Sequence, residues 1–425
     1  MEIDLKYGDG RKTIRIPDRA DVTILKPAEF PAVGSITDTL EEVLSDPLGC
    51  QSFQSMLQQA DPETIAIAVP DETRPVPLKP ILPVILKEIR QTLSALNPSA
   101  ITIIIGGGLH PPLDDNGRER VVPHQIAPDC RIIAHDALHD SMVDYGLTSR
   151  KTPLRINADF AGADFKIVIG QIDPHQFVGF TGGAKGVVIG CAASDTIEHN
   201  HSLMFYDGAR VGRIAGNPVR EDLNEAGEMV GIQLAINVVL DAEKKIVQML
   251  AGNPLEVLRK GAETCSGVYG VGIAEKFDIV IASCGGHPKD ICLYQAQKGL
   301  NLASQALSPG GHILLLAASP QGVGDDIYFD YVSQFTTPEE VLSDFKDSGF
   351  RMGAHKAYLF GRTLTDFDVA ISSDLDPGIL RKCHLRAADP TVIVGEWVDG
   401  FEDRPRIAVV PNANTTYFYH GQPGP

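Results

Sequence analysis

Short, nearly uninterrupted apolar runs alternate with longer stretches of helical pattern along this 425-residue chain, and that alternation constrains the fold more than any other feature. Runs such as Ile101–Ile105 are rich in β-branched residues and lack polar alternation, which is typical of strands buried on both faces of a parallel sheet. Parallel strands need crossover connections, usually helices. The sequence therefore predicts an α/β protein with mainly parallel sheets.

The predicted strands share this apolar character. They are Ile65–Val69, Ile101–Ile105, Arg131–Ala134, Lys166–Gly170, Asp278–Ser283, His312–Leu316, Phe367–Ala370, Thr391–Val394 and Ile407–Val410. Two helices have a clear start signal, because a capping side chain precedes a proline at the first helical position. These helices are Pro218–Val230, after Asn217, and Pro338–Ser348, after Thr337.

The length predicts two domains, each with its own core. The glycine-rich segment Gly267–Gly272 precedes a new strand and indicates a boundary near residue 270. We expect a larger α/β domain of residues 1–270 plus 405–425, because chain termini often lie close together. A smaller α/β domain would then comprise residues 271–404, with the active site in the cleft between the two.

Charge and hydropathy exclude two classes of partner. Acidic residues outnumber basic ones 55 to 37, and a net charge of −18 repels nucleic acid. The apolar runs are much shorter than the roughly 20 residues that span a bilayer. The start of the chain shows no charged and apolar export signal, so we expect a cytoplasmic protein without a membrane partner.

Polar or glycine-rich turns follow several predicted strands, where open α/β sheets bind their ligands. One turn holds Asp71, Thr73 and Arg74, although a proline-bounded turn with a local ion pair explains it equally well. A second turn, Gly106–His110, combines three glycines with a histidine. A lone histidine is more often structural than catalytic, but glycines permit a close approach of the backbone to a ligand, which favours a binding site there.

The segment Asp173–Gly186 is the densest of these turns and contains His175 and Lys185. Its glycines and lysine suit a phosphate group. It departs from the P-loop pattern because Ala184 replaces a glycine and Gly186 replaces the residue that holds magnesium, so a kinase or NTPase is not expected.

Two further segments contain candidate ligands. On a helix, only one of His199 and His201 can face a given site, where it could bind nickel, copper or zinc; a surface histidine pair is the equal alternative. Tyr294 and Lys298 share one helix face, with Gln295 beside them. That face suits a carboxylate with an adjacent hydroxyl, or it is simply amphipathic with a solvated lysine.

In this order, the motifs resemble the nickel-pincer-nucleotide-dependent lactate racemase family of 2-hydroxy acid racemases and epimerases, over essentially the whole chain. The resemblance implies a nickel(II) pyridinium-3,5-bisthiocarboxylic acid mononucleotide cofactor, made by separate maturation proteins. It implies these roles: a covalent link at Lys185, nickel ligation by His201, cofactor contacts from Asp71, Thr73 and Arg74, acid–base catalysis by His110 and His175, and substrate binding by Arg74, Tyr294, Gln295 and Lys298.

The chemistry of inverting a 2-hydroxy acid gives a reason for two acid–base histidines. Its Cα–H is too weakly acidic for an imidazole of pKa about 6.5. A histidine can instead take the hydroxyl proton if the hydride passes to an acceptor such as the pyridinium. The planar keto acid accepts hydride on either face, so inversion needs one histidine for each orientation. The alternatives are a nucleotide-dependent dehydrogenase or transferase with a dissociable cofactor, and a non-catalytic carrier of the nickel cofactor.

Two segments depart from the family pattern and bear on the choice of 2-hydroxy acid. His287 stands where the family has a tyrosine. The segment Gly353–Tyr358 is a candidate for the aromatic residue that closes over the substrate.

Overall fold

A computed structural model describes residues 1–419 of the chain. Its strands are β1 (Glu2–Tyr7), β2 (Gly10–Arg15), β3 (Asp21–Ile24), β4 (Ile65–Pro70), β5 (Ile101–Gly106), β6 (Arg131–Ala134), β7 (Met142–Leu147), β8 (Pro153–Asn157), β9 (Phe165–Gln171), β10 (Pro174–His175), β11 (Gly179–Phe180), β12 (Leu234–Leu240), β13 (Ile246–Gly252), β14 (Gly270–Gly272), β15 (Phe277–Ser283), β16 (Leu307–Leu316), β17 (Asp368–Ser372), β18 (Arg386–Ala387), β19 (Arg406–Val410) and β20 (Tyr417–Tyr419).

Helices connect most of these strands. They are α1 (Ile36–Ser45), α2 (Phe53–Ala60), α3 (Leu78–Thr92), α4 (Asp115–Val121), α5 (Ala158–Ala161), α6 (Lys185–Val188), α7 (Ser194–Ser202), α8 (Pro218–Val230), α9 (Pro254–Tyr269), α10 (Leu293–Ala303), α11 (Asp326–Val332), α12 (Pro338–Ser348), α13 (His355–Asp366), α14 (Pro377–Lys382) and α15 (Pro390–Gly400). Within residues 1–419, every helix is too short or too polar to cross a bilayer.

Residues 29–268 form one compact unit around a six-stranded sheet. The strand order is β13-β12-β9-β4-β5-β6, and only β13 runs antiparallel to its neighbour. Apolar side chains of these strands pack with those of α1, α2 and α3 in one core. The burial of whole strands such as β4 explains why their sequences are apolar throughout.

The second unit combines residues 1–28 with residues 269–419. This unit contains a six-stranded sheet whose strands are all parallel, in the order β18-β17-β16-β15-β19-β3. The hairpin β1–β2 packs on this unit's own core, where Ile14 and Ile16 meet Trp397. The two units confirm the predicted α/β class with mainly parallel sheets.

The division of the chain differs from the sequence-based one at both ends. The boundary lies at residues 268 and 269, close to the expected 270. Residues 1–28, however, do not belong with residues 29–268, because β3 pairs with β19. The strand β19 also pairs with β15, so residues 405–419 lie with the smaller unit and not with the larger one. The pairing of β3 with β19 joins strands from opposite ends of the chain, and such a pairing leaves no local signal in the sequence.

The predicted helices at Pro218–Val230 and Pro338–Ser348 are present with the same bounds. The prediction of a strand at Thr391–Val394 is wrong, because this apolar run is the first part of α15. Asp389 caps that helix by accepting hydrogen bonds from Thr391 N and Val392 N, with Pro390 at the first helical position. These start signals outweigh the β-branched composition.

Candidate active site

The carboxyl ends of neighbouring strands bring the turns after β4, β5 and β9 together. Pro70 pairs with Gly106, and Gly170 pairs with Asn237 on β12. A pocket opens at this edge of the sheet, as expected for a parallel α/β sheet. Its lining includes five residues singled out by the sequence, namely Asp71, Thr73, Arg74, His110 and Lys185.

Asp71 and His110 form a pair at the mouth of this pocket. The buried Asp71 carboxylate lies 2.6 Å from His110 Nδ1 through Oδ2, and its Oδ1 accepts from Thr73 Oγ1 at 2.6 Å. Burial alone would raise the pKa of Asp71, but the hydrogen bonds from His110 and Thr73 leave that pKa below its usual value. Because an ionised carboxylate only accepts, His110 carries its proton on Nδ1 and presents Nε2 as a proton acceptor.

Lys185 begins α6 and lines the same pocket. Removal of its amine from water, together with the charges of Arg74 and Arg220, lowers the pKa of Lys185 to about 7. The nearby Asp71 only partly opposes this shift. A large fraction of the amine is therefore neutral near pH 7, which makes it a nucleophile.

Glycines shape the wall of the pocket beside Lys185. Gly182 has a φ of 87°, and a Cβ there would lie 2.9 Å from Asn237 Oδ1. That amide oxygen accepts from Gly183 N at 2.8 Å. A side chain at Gly182 would displace Asn237, so glycine is required for the loop to close against β12.

His201 lies on α7 and is buried. Burial lowers the pKa of His201 to about 3, and the charge of Lys185 contributes to the shift. Its ring packs edge-on to Phe177, with centroids 5.3 Å apart, and Phe177 packs likewise on His175 at 4.6 Å. The neutral imidazole is the form that binds a metal ion.

His175 lies on the short strand β10, in a hairpin with β11. Val178 N donates to His175 Nδ1 at 3.3 Å. The neutral ring therefore carries its proton on Nε2, in contrast to His110. Both predicted acid–base histidines thus have an orienting partner, but they present opposite tautomers.

The first turn of α8 holds the loop between His175 and Lys185, a function that the sequence analysis missed. Arg220 is fully buried and donates to the carbonyl oxygens of Val178, Phe180 and Gly182. Asn217 Nδ2 donates to Phe177 O at 3.0 Å. In the sequence Arg220 looks like an ordinary residue of an amphipathic helix, and no local pattern distinguishes it.

Tyr294, Gln295 and Lys298 belong to the other unit, where they lie in the first two turns of α10. Gln295 is exposed, while Tyr294 and Lys298 are half-buried. Burial raises the pKa of Tyr294 well above its usual value, so its hydroxyl stays protonated. Tyr294 and Lys298 are four residues apart on this helix, so they share one of its faces, as predicted.

The two departing segments also belong to this unit. His287 is exposed in the loop after β15, and its backbone N donates to Gly8 O at 2.9 Å. Tyr358 is buried and stacks on Phe345, with ring centroids 5.5 Å apart. The aromatic side chain of segment 353–358 that lies beside Tyr294 is His355, at 6.5 Å between centroids.

Within residues 1–419, no three His, Cys, Asp or Glu side chains come together as a metal site. A metal ion at His201 would have one protein ligand of this kind. In a pincer cofactor the heterocycle itself supplies the other ligands, so this donor set is compatible with such a group.

Comparisons with known proteins agree with the resemblance. Residues 7–212 match the family model of the lactate racemase N-terminal domain, and residues 273–412 match that of the lactate racemase C-terminal domain. The chain is 30% identical to the lactate racemase of Lactiplantibacillus plantarum over 91% of its length and 92% of that protein. It is 29% identical to the lactate racemase of Thermoanaerobacterium thermosaccharolyticum over 82% of this chain and 81% of that one.

A solved structure extends this agreement to the fold. The lactate racemase apoprotein of T. thermosaccharolyticum superposes with a TM-score of 0.88 at 25% identity, covering 99% of this chain and 100% of that one. The prediction of a racemase-type isomerase is confirmed at the level of the family. Both family models and two relatives matched over most of their length lead to one conclusion: the chain belongs to the lactate racemase family.

Proposed function

We propose that this protein inverts the C2 configuration of a 2-hydroxy acid, using a nickel-pincer nucleotide that is covalently attached to Lys185. The single observation that carries the proposal is the juxtaposition of two neutral nitrogen groups. The Lys185 amine and the His201 imidazole both have lowered pKa values, and the charge of Lys185 contributes to the shift at His201. One is suited to a covalent link and the other to metal ligation.

The pocket agrees with a mononucleotide-sized anionic group. Gly182 and Gly183 bring backbone close to Lys185, and the Arg74 side chain adds a positive charge at the opposite turn. Arginine binds phosphate with paired N–H donors, and glycine loops expose backbone amides to it. Asp71 and Thr73 hold this turn in place through their mutual hydrogen bond.

When bound, the cofactor supplies the acceptor for the hydrogen on C2. His110 then takes the hydroxyl proton on Nε2, while Asp71 stabilises the imidazolium that forms. His175 serves the opposite orientation of the oxygen and is steadied by Val178 N. Gln295 and Lys298 bind the carboxylate, and Tyr294 presents a protonated hydroxyl beside them.

Attachment can be tested on the intact protein. Protein co-expressed with the cofactor maturation proteins should carry a mass adduct on the peptide that contains Lys185, together with stoichiometric nickel. Lys185→Ala should lack both, whereas Lys166→Ala, a matched change of a half-buried lysine on β9, should keep both. An adduct that survives in Lys185→Ala would contradict the covalent assignment.

Turnover is tested with single enantiomers of 2-hydroxy acids deuterated at C2. Inversion should retain the deuterium, because the hydrogen returns to the same carbon. His110→Ala and His175→Ala should keep the adduct and lose turnover. Nickel-loaded protein that inverts none of the acids, or that exchanges the C2 deuterium with water, would overturn the proposal.

A further inference from the structure

A buried carboxylate on α8 binds the helix that carries His201. Asp222 is fully buried, and its Oδ2 accepts a hydrogen bond from Asn200 Nδ2 of α7 at 2.8 Å. Two hydroxyl groups complete the cluster, since Thr148 Oγ1 donates to Asp222 Oδ1 at 2.5 Å and Thr152 Oγ1 donates to Asp222 Oδ2 at 2.8 Å. Both oxygens therefore act only as acceptors, as in an ionised carboxylate. A buried charge is costly without such donors, which ties the three donor residues to α8.

The same cluster binds His199, the histidine of α7 to which the proposed function assigns nothing. The single hydroxyl hydrogen of Thr152 points to Asp222, so its oxygen accepts from His199 Nδ1 at 2.9 Å. His199 and Asn200 are thus bonded to neighbouring members of one cluster. Successive side chains on an α-helix turn by about 100°, so His201 faces about 200° away from His199. The cluster therefore fixes the rotation of α7 that directs His201 away from Thr152.

The ring of His201 is oriented by α7 as well. Burial and the charge of Lys185 lower the pKa of His201, whereas a hydrogen bond with the backbone of Ile197 opposes this shift. The bond thus stabilises a protonated ring nitrogen, which donates to the Ile197 carbonyl group one turn earlier on α7. A histidine that binds a metal ion usually donates its other ring N–H to such a group. Because the orienting carbonyl belongs to α7, rotation of this helix would turn the His201 ring with it.

We propose that Asp222 is a positioning residue for the metal ligand His201, acting through Asn200 and Thr152 on the rotation of α7. This inference rests on the proposed function, in which His201 binds the nickel of the cofactor. Since His201 is the one protein ligand assigned to the metal, nickel retention depends on the orientation of a single ring. Partners that orient a metal ligand contribute roughly 10–100-fold to metal affinity. Disruption of the Asp222 cluster should therefore release nickel from protein in which the link at Lys185 stays intact.

The experiment measures nickel and the Lys185 adduct separately on the same loaded protein. Mass spectrometry gives the adduct, and elemental analysis gives the nickel that remains during dialysis against EDTA. Asp222→Asn keeps the shape of the side chain but turns one acceptor into a donor that faces the donors of the cluster. This variant should lose nickel at least about tenfold faster than the wild type, with an unchanged adduct. An equal rate of loss would overturn the proposal.

A pair of substitutions at Thr152 tests the same cluster with a smaller change. Thr152→Val has nearly the same shape but lacks the hydroxyl that joins His199 to Asp222, so it should also accelerate nickel loss. Thr152→Ser keeps the hydroxyl and should retain nickel like the wild type. A packing function alone would give the reverse order, because only the serine variant loses a methyl group. That reverse order would contradict the proposal.

Glu225→Gln is the matched control on α8. Glu225 accepts from Ser149 N and Ser149 Oγ, and these bonds do not involve α7, so nickel loss should proceed at the wild-type rate. In cofactor-free protein, amide exchange of residues 194–202 should increase in Asp222→Asn and Thr152→Val but not in Glu225→Gln. Unchanged exchange in Asp222→Asn would overturn the attachment of α7 to the cluster without reference to any cofactor.

The outcomes separate this inference from the proposed function. His201→Ala should release nickel at least as fast as Asp222→Asn. Nickel retained by His201→Ala would refute the ligation that belongs to the proposed function, and this inference would fall with it. Nickel released by His201→Ala but retained by Asp222→Asn and Thr152→Val would refute this inference alone.

Discussion

Asp71 illustrates how one buried carboxylate can organise a catalytic group. It accepts from Thr73 and faces His110 Nδ1, so it sets both the tautomer and the orientation of the imidazole. Its ionised state depends on these hydrogen bonds, which outweigh the effect of burial and lower the pKa of Asp71. The family resemblance implies that Asp71 contacts the cofactor, whereas its clearest contact in the structure is with His110.

Asp71→Asn should lower kcat of the loaded enzyme by about 10²–10⁴-fold, the range typical of a misoriented acid–base residue. The amide cannot stabilise the positive charge that develops on His110. Steady-state kinetics would measure the loss. Glu72→Gln is the control in the same turn as Asp71, because it alters only the exposed ion pair between Glu72 and Arg120. A kcat of Asp71→Asn equal to that of Glu72→Gln would contradict this function of Asp71.

Lys185 should react as an unusually nucleophilic lysine in cofactor-free protein. With its pKa lowered to about 7, the amine is protonated below that pH and mostly neutral above it. At pH 7.5 roughly three quarters would be neutral, against roughly 0.1% for an ordinary lysine with pKa near 10.4.

Peptide mass spectrometry after brief treatment with acetic anhydride, over pH 5–10, would measure the rate at Lys185 against a free lysine amide. The pH at which the rate at Lys185 reaches half of its maximum should lie near 7. A midpoint shared with the free amide would show that Arg74, Arg220 and burial do not depress this pKa.

At the scale of elements, α8 connects the parts of the site that the sheet alone does not hold. Arg220 binds three carbonyl groups of the loop before Lys185, and Asn200 on α7 donates to Val219 O and to the buried Asp222. The loop that carries His175 and the helix that carries His201 are thus both bonded to α8. Movement of this helix would therefore disturb both histidines at once.

Arg220→Met should reduce the free energy of unfolding by about 2–4 kcal/mol, since it leaves buried carbonyl groups without a donor. Urea unfolding would measure the loss, and amide exchange should increase first in residues 175–185. Arg150→Met is the matched control, because Arg150 forms only a partly exposed ion pair with Glu221, which lies on α8 like Arg220. Its cost should stay below about 1 kcal/mol. Equal costs for the two variants would show that Arg220 does not hold the loop.

At the scale of the molecule, the first 28 residues belong to the unit formed by the last third of the chain. Asp21 pairs with Arg406, and Ile14 is fully buried in the core that contains Trp397. The parallel sheet of this unit is therefore completed only when both chain ends are present. Its stability should respond to substitutions far away in the sequence.

Ile14→Ala should destabilise this unit by about 2–4 kcal/mol, the cost of a cavity in a closed core. Ile24→Ala is the control in a neighbouring N-terminal strand, because Ile24 is 46% exposed. Thermal unfolding would measure both, and faster amide exchange is expected in β15, β16 and β19. A loss for Ile14→Ala no larger than that for Ile24→Ala would contradict the packing of the hairpin.

The sequence by itself determined the local elements and the positions of the site turns. Buried parallel strands need apolar residues on both faces, and capping residues followed by proline mark helix starts. Both features can therefore be recognised in short stretches of sequence. The rule that ligands bind at the carboxyl ends of strands then placed Asp71, His110 and Lys185 at one edge.

Only the tertiary structure decided what depends on contacts between distant residues. The pairing of β3 with β19, the buried guanidinium of Arg220 behind Lys185, and the hydrogen bond of Thr152 to Asp222 each join residues separated by tens to hundreds of positions. The pKa of an amine depends on which groups surround it and on how much water reaches it. Neither can be inferred from the residues adjacent to it in the chain.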